Sequence, residues 1–304
     1  MNYTRVLKYR LPLVRGEDVL FVQRRLRSLQ ISTGHPDGIF GPSTEGAVKR
    51  FQQSKGLRPD GIVGPQTWSA LFADGGDEAG PPADKIVDVI DDLTRVHQYR
   101  ASIKWQLTPS GISLEGKPPA GTGGEPQTVA RVWNDFGTAV EHWAKRLNVP
   151  VELIVATICT ESGGNPTVVR EEPKYESDEQ TPHQVSPGLM QTLISTARAA
   201  VGDDTIDRSW LLEPANSIQA GTAYIASQWK STSFDPPKVA CAYNAGGVYY
   251  NDGVDNRWKM RQYPIGTGKH ADRFVQWFND CMRYFDKHKL KPETSFYTVL
   301  NPQA

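Results

Sequence analysis

The strongest constraint on folding is an internal repeat. "PDGIFGPSTEGAV" begins at Pro36 and "PDGIVGPQTWSAL" begins 23 residues later, at Pro59. Each unit reads as turn first and helix second. Asp-Gly favours a tight turn, the next Gly permits positive φ, and a Pro precedes the pair, Ser43-Thr44 or Gln66-Thr67, that opens a helix. Ala47, Val48, Phe51 and Leu57 place an apolar stripe at helical spacing between the units, and Val19, Val22, Leu26 and Leu29 do so upstream. The pattern predicts a three-helix bundle of about 70 residues, near the lower size limit for a domain that folds alone.

Charge divides the chain at the same place. Residues 1–72 hold 11 basic and 5 acidic side chains, a net +6, and the remainder holds 23 and 29, a net −6. A basic small domain suits an anionic surface or polymer, although a solvated basic helix face would give the same count. "ADGGDEAGPPADK" then reads as a flexible connection. We expect domains at 1–74 and 85–304, with a linker at 75–84 and the core of the second domain at 128–290. Within the second domain "KIVDVIDDLTRVHQY" reads as a helix and "SIKWQLTPSGISLEG" as a short hairpin. Residues 85–128 carry no functional reading beyond cradling or spacing the rest. Val132, Phe136, Val140 and Trp143 form one core stripe, and Phe274, Phe278, Cys281, Met282 and Phe285 form another.

Cys159, Cys241 and Cys281 are too few and too scattered for a disulfide framework or a zinc site, so buried thiols are expected. No apolar run reaches the 18 or so residues of a membrane span, and stable membrane insertion is not expected. "MNYTRVLKYRLPLVRGEDV" shows no apolar signal segment. The expectation is synthesis in the cytoplasm and release by a device other than a signal peptide.

One carboxylate stands out. "VPVELIVATICTESGGNP" is an apolar helix opened by Pro150 and stopped by Gly163-Gly164, and Glu161 is its last strong residue. At ~100° per residue, Glu161 falls within ~20° of Ile154, on the apolar face. It also sits in the last turn, where the helix dipole disfavours negative charge. Both effects raise its pKa, as general acid catalysis on a glycosidic oxygen requires.

The two halves of the chain resemble known families. "GEDVLFVQRRLRSL", "DGIFGPSTEGAVKRFQQSKGL" and "DGIVGPQTWSAL" resemble the peptidoglycan-binding module found at one end of many wall hydrolases. "ESGGNP", "SPGLMQTLISTA", "EPANSIQAGTAYIASQW" and "VACAYNAGG" follow one another in the order seen in soluble lytic transglycosylases and goose-type lysozymes. The implied fold is mainly α: a small three-helix peptidoglycan-binding bundle plus a lysozyme-like α-helical domain with minor β. The implied partner is bacterial peptidoglycan, with no nucleic acid, no metal and no cofactor, and the protein is expected to be a monomer. By the resemblance Glu161 is the sole catalytic acid and base. Ser162 and Ser186 contact the sugar or hold the Glu, Gly188 lets backbone approach the glycan, and Met190 and Gln191 line the cleft. Tyr243 and Asn244 form the opposite wall. The implied reaction cleaves the β-1,4 bond between N-acetylmuramic acid and N-acetylglucosamine and closes a 1,6-anhydro ring.

Two departures from the family pattern bear on mechanism. "VVREEPKYESDEQTPHQV" lengthens the stretch between Glu161 and Gly188. Its Glu171, Glu172, Glu176, Asp178 and Glu179 read as a solvated acidic loop, or as the source of a second carboxylate that would position water and make a muramidase. In "HADRFV", His270 and Phe274 stand where the family often has the Glu and Tyr of Glu-Thr-x-x-Tyr-Val. Phe has no hydroxyl to support Glu161, and Tyr263 is a candidate substitute. Three functions stay open at this point: a transglycosylase, a muramidase, and an inert wall-binding or virion protein. The domain order suggests a phage endolysin, with a virion-borne lysin or a secreted effector as alternatives.

Overall fold

A computed structural model describes residues 5–29, 31–34, 36–73, 85–123 and 127–303. The chain forms two compact units, Met1–Glu78 and Ala79–Ala304. The expected linker at 75–84 lies outside the described residues.

The first unit packs α1 (Glu17–Ser28), α2 (Pro42–Ser54) and α3 (Pro65–Ala73) around Val22, Leu26, Phe40, Phe51, Val63 and Leu71. The sequence repeat is also a repeat of hydrogen bonds. Gln23 Nε2 donates to Asp37 Oδ1, the Ile39 carbonyl and Thr44 Oγ1, and its Oε1 accepts from the Gly38 amide. Gln52 Nε2 donates in the same way to Asp60 Oδ1, the Ile62 carbonyl and Thr67 Oγ1, with the Gly61 amide returning to Oε1. Each buried glutamine thus satisfies a turn that would otherwise leave buried polar atoms unpaired. The left-handed residues are Gly38 and Gly61, directly after each Asp, rather than the glycines that follow. Gly41 is instead the extended N-cap of α2, and Thr44 serves the buried network instead of capping the helix.

The second unit runs α4 (Lys85–Leu93), β1 (His97–Gln98), β2 (Lys104–Thr108), β3 (Gly111–Leu114), α5 (Gln127–Leu147), α6 (Val151–Glu161), β4 (Val169–Glu171) and β5 (Val185–Pro187). It continues with α7 (Ile194–Val201), α8 (Arg208–Leu212), α9 (Pro214–Ser227), α10 (Trp229–Thr232), α11 (Pro236–Ala245), α12 (Lys269–His288) and α13 (Phe296–Leu300). The predicted hairpin is present, with Trp105 opposite Leu114 and Thr108 opposite Gly111. The helix predicted through Tyr99 ends at Leu93, because His97 turns into β1 and binds Asp235 instead.

Residues 85–123 cradle the helical core. Asp235, fully buried at the start of α11, accepts from His97 Nδ1 and Trp105 Nε1, both at 2.8 Å. Asn279 on α12 accepts from the Ile112 amide, and Asp280 accepts from the Thr122 hydroxyl. Trp105, Leu107 and Ile112 lie in the same core as α5, α6 and α12. The expected α12 stripe is wholly buried, while Phe136 and Trp143 of α5 cover the core from its edge.

Helix α6 is the centre of this unit. Every residue from Val151 to Thr160 is buried, so the helix has no polar face. The acids at its two ends differ in environment. Glu152 is fully enclosed and accepts from Ser295 Oγ and from the Phe296 and Tyr297 amides, which caps α13. Glu161 closes the other end. The three cysteines are free and buried. Among the described residues, no helix is long and apolar enough to cross a membrane.

Candidate active site

Glu161 owes its position to where α6 stops. Gly163 and Gly164, with φ of 62° and 80°, turn the chain out of the core immediately after it. Because α6 is buried on every side, its apolar face does not single out Glu161; the end of a core helix does. The side chain keeps 16% exposure and lies at the edge of solvent. Burial pushes its carboxyl from the ordinary 4.5 up to about 7, against the opposing fields of the Arg170 and Arg273 guanidinium groups. No side chain among the described residues hydrogen-bonds it. The contrast with Glu152 is direct: one acid is saturated with donors, and the other is left open.

His270, in the first turn of α12, is an ionisable neighbour of Glu161. Its Nε2 is 3.7 Å from Glu161 Oε1. Burial, helped by Arg273, pushes its pKa down to about 4, so it is neutral when Glu161 titrates. A neutral imidazole there keeps water away without supplying the charge that would draw the proton off Glu161. Tyr263, the proposed substitute for the missing hydroxyl, is half exposed; its amide donates to Asn244 Oδ1, and no bond joins it to Glu161. Phe274 is in the core.

The turn carrying Gly188, Met190 and Gln191 braces Glu161 from below. Ser162 Oγ donates to the Leu189 carbonyl at 2.7 Å, which pins the end of α6 to this turn. Of the two roles considered for Ser162, the bonds favour holding the Glu. Gly188 has φ 82°, and a Cβ there would meet the Leu211 carbonyl oxygen at 2.1 Å. Its close approach within the protein is to the Leu211 carbonyl of α8. Met190 does not line the cleft: it is fully buried, with its sulfur packed over Gly221 where a Cβ would meet it. Gln191 holds a left-handed φ of 48°, its Nε2 donating to the Val168 and Gly188 carbonyls. Ser186 is buried on β5, 3.4 Å from Gln191 Oε1. These side chains build the floor through polar bonds that a sequence pattern does not reveal.

Tyr243 is likewise a support. Its hydroxyl donates to the Met190 carbonyl at 2.8 Å and lies 2.8 Å from Thr192 Oγ1, so it is occupied within the protein. Its pKa is raised well above the usual value, chiefly by burial, with Glu161 among the nearby acids that add to it. Asn244, one residue on and half-buried, uses its oxygen on the Tyr263 amide. Its Nδ2 has no partner among the described residues, and it is the group of this wall best placed to donate to a ligand.

The long acidic insert folds into the β4–β5 hairpin, with Arg170 opposite Ser186. Strand alternation sends Arg170 and Glu171 to opposite faces. Arg208 of α8 gathers Glu171, both oxygens of Asp178 and the Tyr175 hydroxyl, with bonds of 2.8 to 3.0 Å. Glu172 pairs with Arg170 at 3.2 Å. Glu176 and Glu179 are exposed. The charges acting on Glu161 are the two arginines, and none of the five acids of the insert is among them. Among the described residues, no three His, Cys, Asp or Glu gather as a metal site.

Two groups whose charge reaches Glu161 escaped the sequence reading: Arg170 was hidden inside the acidic insert, and Arg273 lay within the "HADRFV" stretch without a motif role. His270 was noticed there only as a departure from a family pattern.

Residues 138–263 match the family model described as "Transglycosylase SLT domain". Residues 15–71 match the one described as "Putative peptidoglycan binding domain". No curated protein matches the chain. Among solved structures, the endolysin of Burkholderia phage AP3 matches at 16% identity, over 92% of this chain and 99% of that one, with a TM-score of 0.32. That likeness is too distant to bear on the site.

Proposed function

We propose that this modular peptidoglycan-degrading enzyme, a peptidoglycan-binding domain joined to a transglycosylase SLT domain, cleaves the bond between N-acetylmuramic acid and N-acetylglucosamine with Glu161 alone. The observation that carries the reading is the environment of that carboxyl: largely enclosed at the edge of solvent, raised to about 7, and under the fields of two guanidinium groups rather than of a second carboxylate.

Protonated Glu161 gives its proton to the glycosidic oxygen as the C1–O bond breaks, and the N-acetylglucosamine leaves as an alcohol. The substrate's own acetamido group stabilises the positive C1, which lies outside the two-carboxylate scheme. The Glu161 carboxylate, now steadied by Arg170 and Arg273, takes the proton of the muramoyl 6-hydroxyl. That oxygen then bonds to C1, closing the 1,6-anhydro ring and restoring protonated Glu161. No water is consumed. Asn244 Nδ2 is the donor we assign to an acetamido carbonyl on the substrate. The basic first unit favours encounter with an anionic envelope. A wall-binding module joined to a lytic domain supports a role in host lysis, as a phage-type lysin released through an opened membrane.

The test is mass analysis of the products released from purified sacculi. Anhydro-muramoyl ends are expected. Reducing ends would replace this reading with a muramidase, and absence of any product from pH 4 to 9 would sink both.

A further inference from the structure

The first unit carries a loop whose outer face its core does not use. Residues 5–15, "RVLKYRLPLVR", hold four cations, Arg5, Lys8, Arg10 and Arg15, and no acid. The loop is closed at its base: Arg5 Nη2 donates to the Arg15 carbonyl at 2.7 Å, and Arg5 Nε to Asp18 Oδ2 at 2.6 Å. Each limb is also tied to the core. Leu7 and Val63 exchange amide-to-carbonyl bonds of 3.1 and 2.8 Å, and the Phe40 amide donates to the Val14 carbonyl at 2.8 Å. Leu7 and Val14 turn inward and are buried. Residues 8–12 between them are all exposed. Leu11 is 80% exposed, and Val6 and Tyr9 are 47% and 41% exposed. A tip clamped in this way needs little further ordering to dock on a partner.

Charge and apolarity together identify the partner. Lys8, Arg10 and Arg15 make no ion pair among the described residues. The acids of the neighbouring segments are spent inside the unit: Asp18 on Arg5 and the Val19 amide, Asp37 on Gln23 and the Ile39 amide, and Asp60 on Gln52 and the Ile62 amide. Cations interleaved with Val6, Tyr9 and Leu11 match the boundary of an anionic bilayer. Headgroup phosphates take the charges there, and the acyl region takes the aliphatic groups. A tyrosine suits the same depth, with its ring inward and its hydroxyl among the headgroups. A nucleic acid or an anionic wall polymer would satisfy the cations but offers no aliphatic medium to Leu11 and Val6.

We propose that the loop of residues 5–15 docks the first unit on the surface of an anionic phospholipid bilayer, with Leu11, Tyr9 and Val6 at the acyl boundary and Lys8, Arg10 and Arg15 among the phosphates. The contact is peripheral and independent of the cleavage chemistry. The experiment is cosedimentation of the full chain with vesicles of phosphatidylglycerol and phosphatidylcholine, and with vesicles of phosphatidylcholine alone. Binding is expected to the first and not to the second, and to fall as salt is added. The double variant Lys8→Gln/Arg10→Gln should weaken it about 25-fold, at about fivefold for each cation removed. Leu11→Asp should weaken it at least about tenfold, on the scale of one buried aliphatic side chain. Both variants should keep the circular dichroism and the thermal midpoint of the parent, and should sediment with purified sacculi as the parent does. No binding to the anionic vesicles, equal binding to both kinds of vesicle, or unchanged binding in either variant would overturn the inference. A variant that kept its hold on vesicles and lost sacculi would assign the loop to the wall instead. Competition by double-stranded DNA that displaced the parent from vesicles while Leu11→Asp bound them unimpaired would reduce the loop to a general polyanion site.

Discussion

His270 Nε2 stands 3.7 Å from Glu161 Oε1, and the pair is inverted relative to its usual ionisation: the acid is raised to about 7 and the imidazole lowered to about 4. Between those values both groups are mainly neutral. The acid keeps its proton through the range where a free carboxylate has lost it.

Replacing Glu161 with Gln should cut kcat by about 10³-fold, within the range for loss of a general acid. The same change should stabilise the fold in alkali. The native state holds the Glu161 proton more tightly than the unfolded chain, so stability falls as pH rises from 4.5 to about 7 and stays low above it. Removing the ionisable group recovers up to about 3 kcal/mol at pH 8 and nothing at pH 4. Urea denaturation of both proteins at the two pH values measures this.

The neighbours of Glu161 should move the alkaline limb of kcat/KM in opposite directions. His270→Ala admits water, eases ionisation of Glu161 and shifts the limb to lower pH. Arg273→Gln removes a cation that holds the pKa down and shifts the limb to higher pH. Rate profiles from pH 4 to 9 decide it. Shifts in the same direction would contradict the electrostatic assignment.

Gly188→Ala should cost about 3 kcal/mol or more, because φ is 82° and the new methyl would enter the Leu211 carbonyl. The loss should appear in thermal unfolding as well as in activity. A variant of normal stability that failed only in glycan binding would restore the role expected from sequence.

Deleting residues 1–78 should weaken sedimentation with sacculi and leave cleavage of short soluble glycans within about twofold of the full chain, since the second unit has its own core. Unchanged binding to sacculi would argue against a wall-binding role for the first unit.

Much of the scheme was legible in the sequence because it depends on local rules. Asp-Gly turns, the apolar stripes and the Gly163-Gly164 stop depend on backbone freedom and periodicity, and these are written residue by residue. They gave the helical class, the repeat and Glu161 itself. The roles of Met190, Gln191 and Tyr243 were not legible. Whether a polar side chain faces a ligand or a neighbouring carbonyl depends on what the fold places opposite it: Met190 faces Gly221, while the Tyr243 hydroxyl faces Thr192 and the Met190 carbonyl. The acidic insert shows the same division. Its composition allowed a second carboxylate, and only the tertiary structure, by setting Arg208 beside Glu171 and Asp178 and Arg170 beside Glu172, decided where those charges go. Sequence specifies the chemistry a segment can offer. Long-range pairing decides which part of it remains unspent, because a buried charge or hydrogen-bonding group must find its partner wherever the chain brings one.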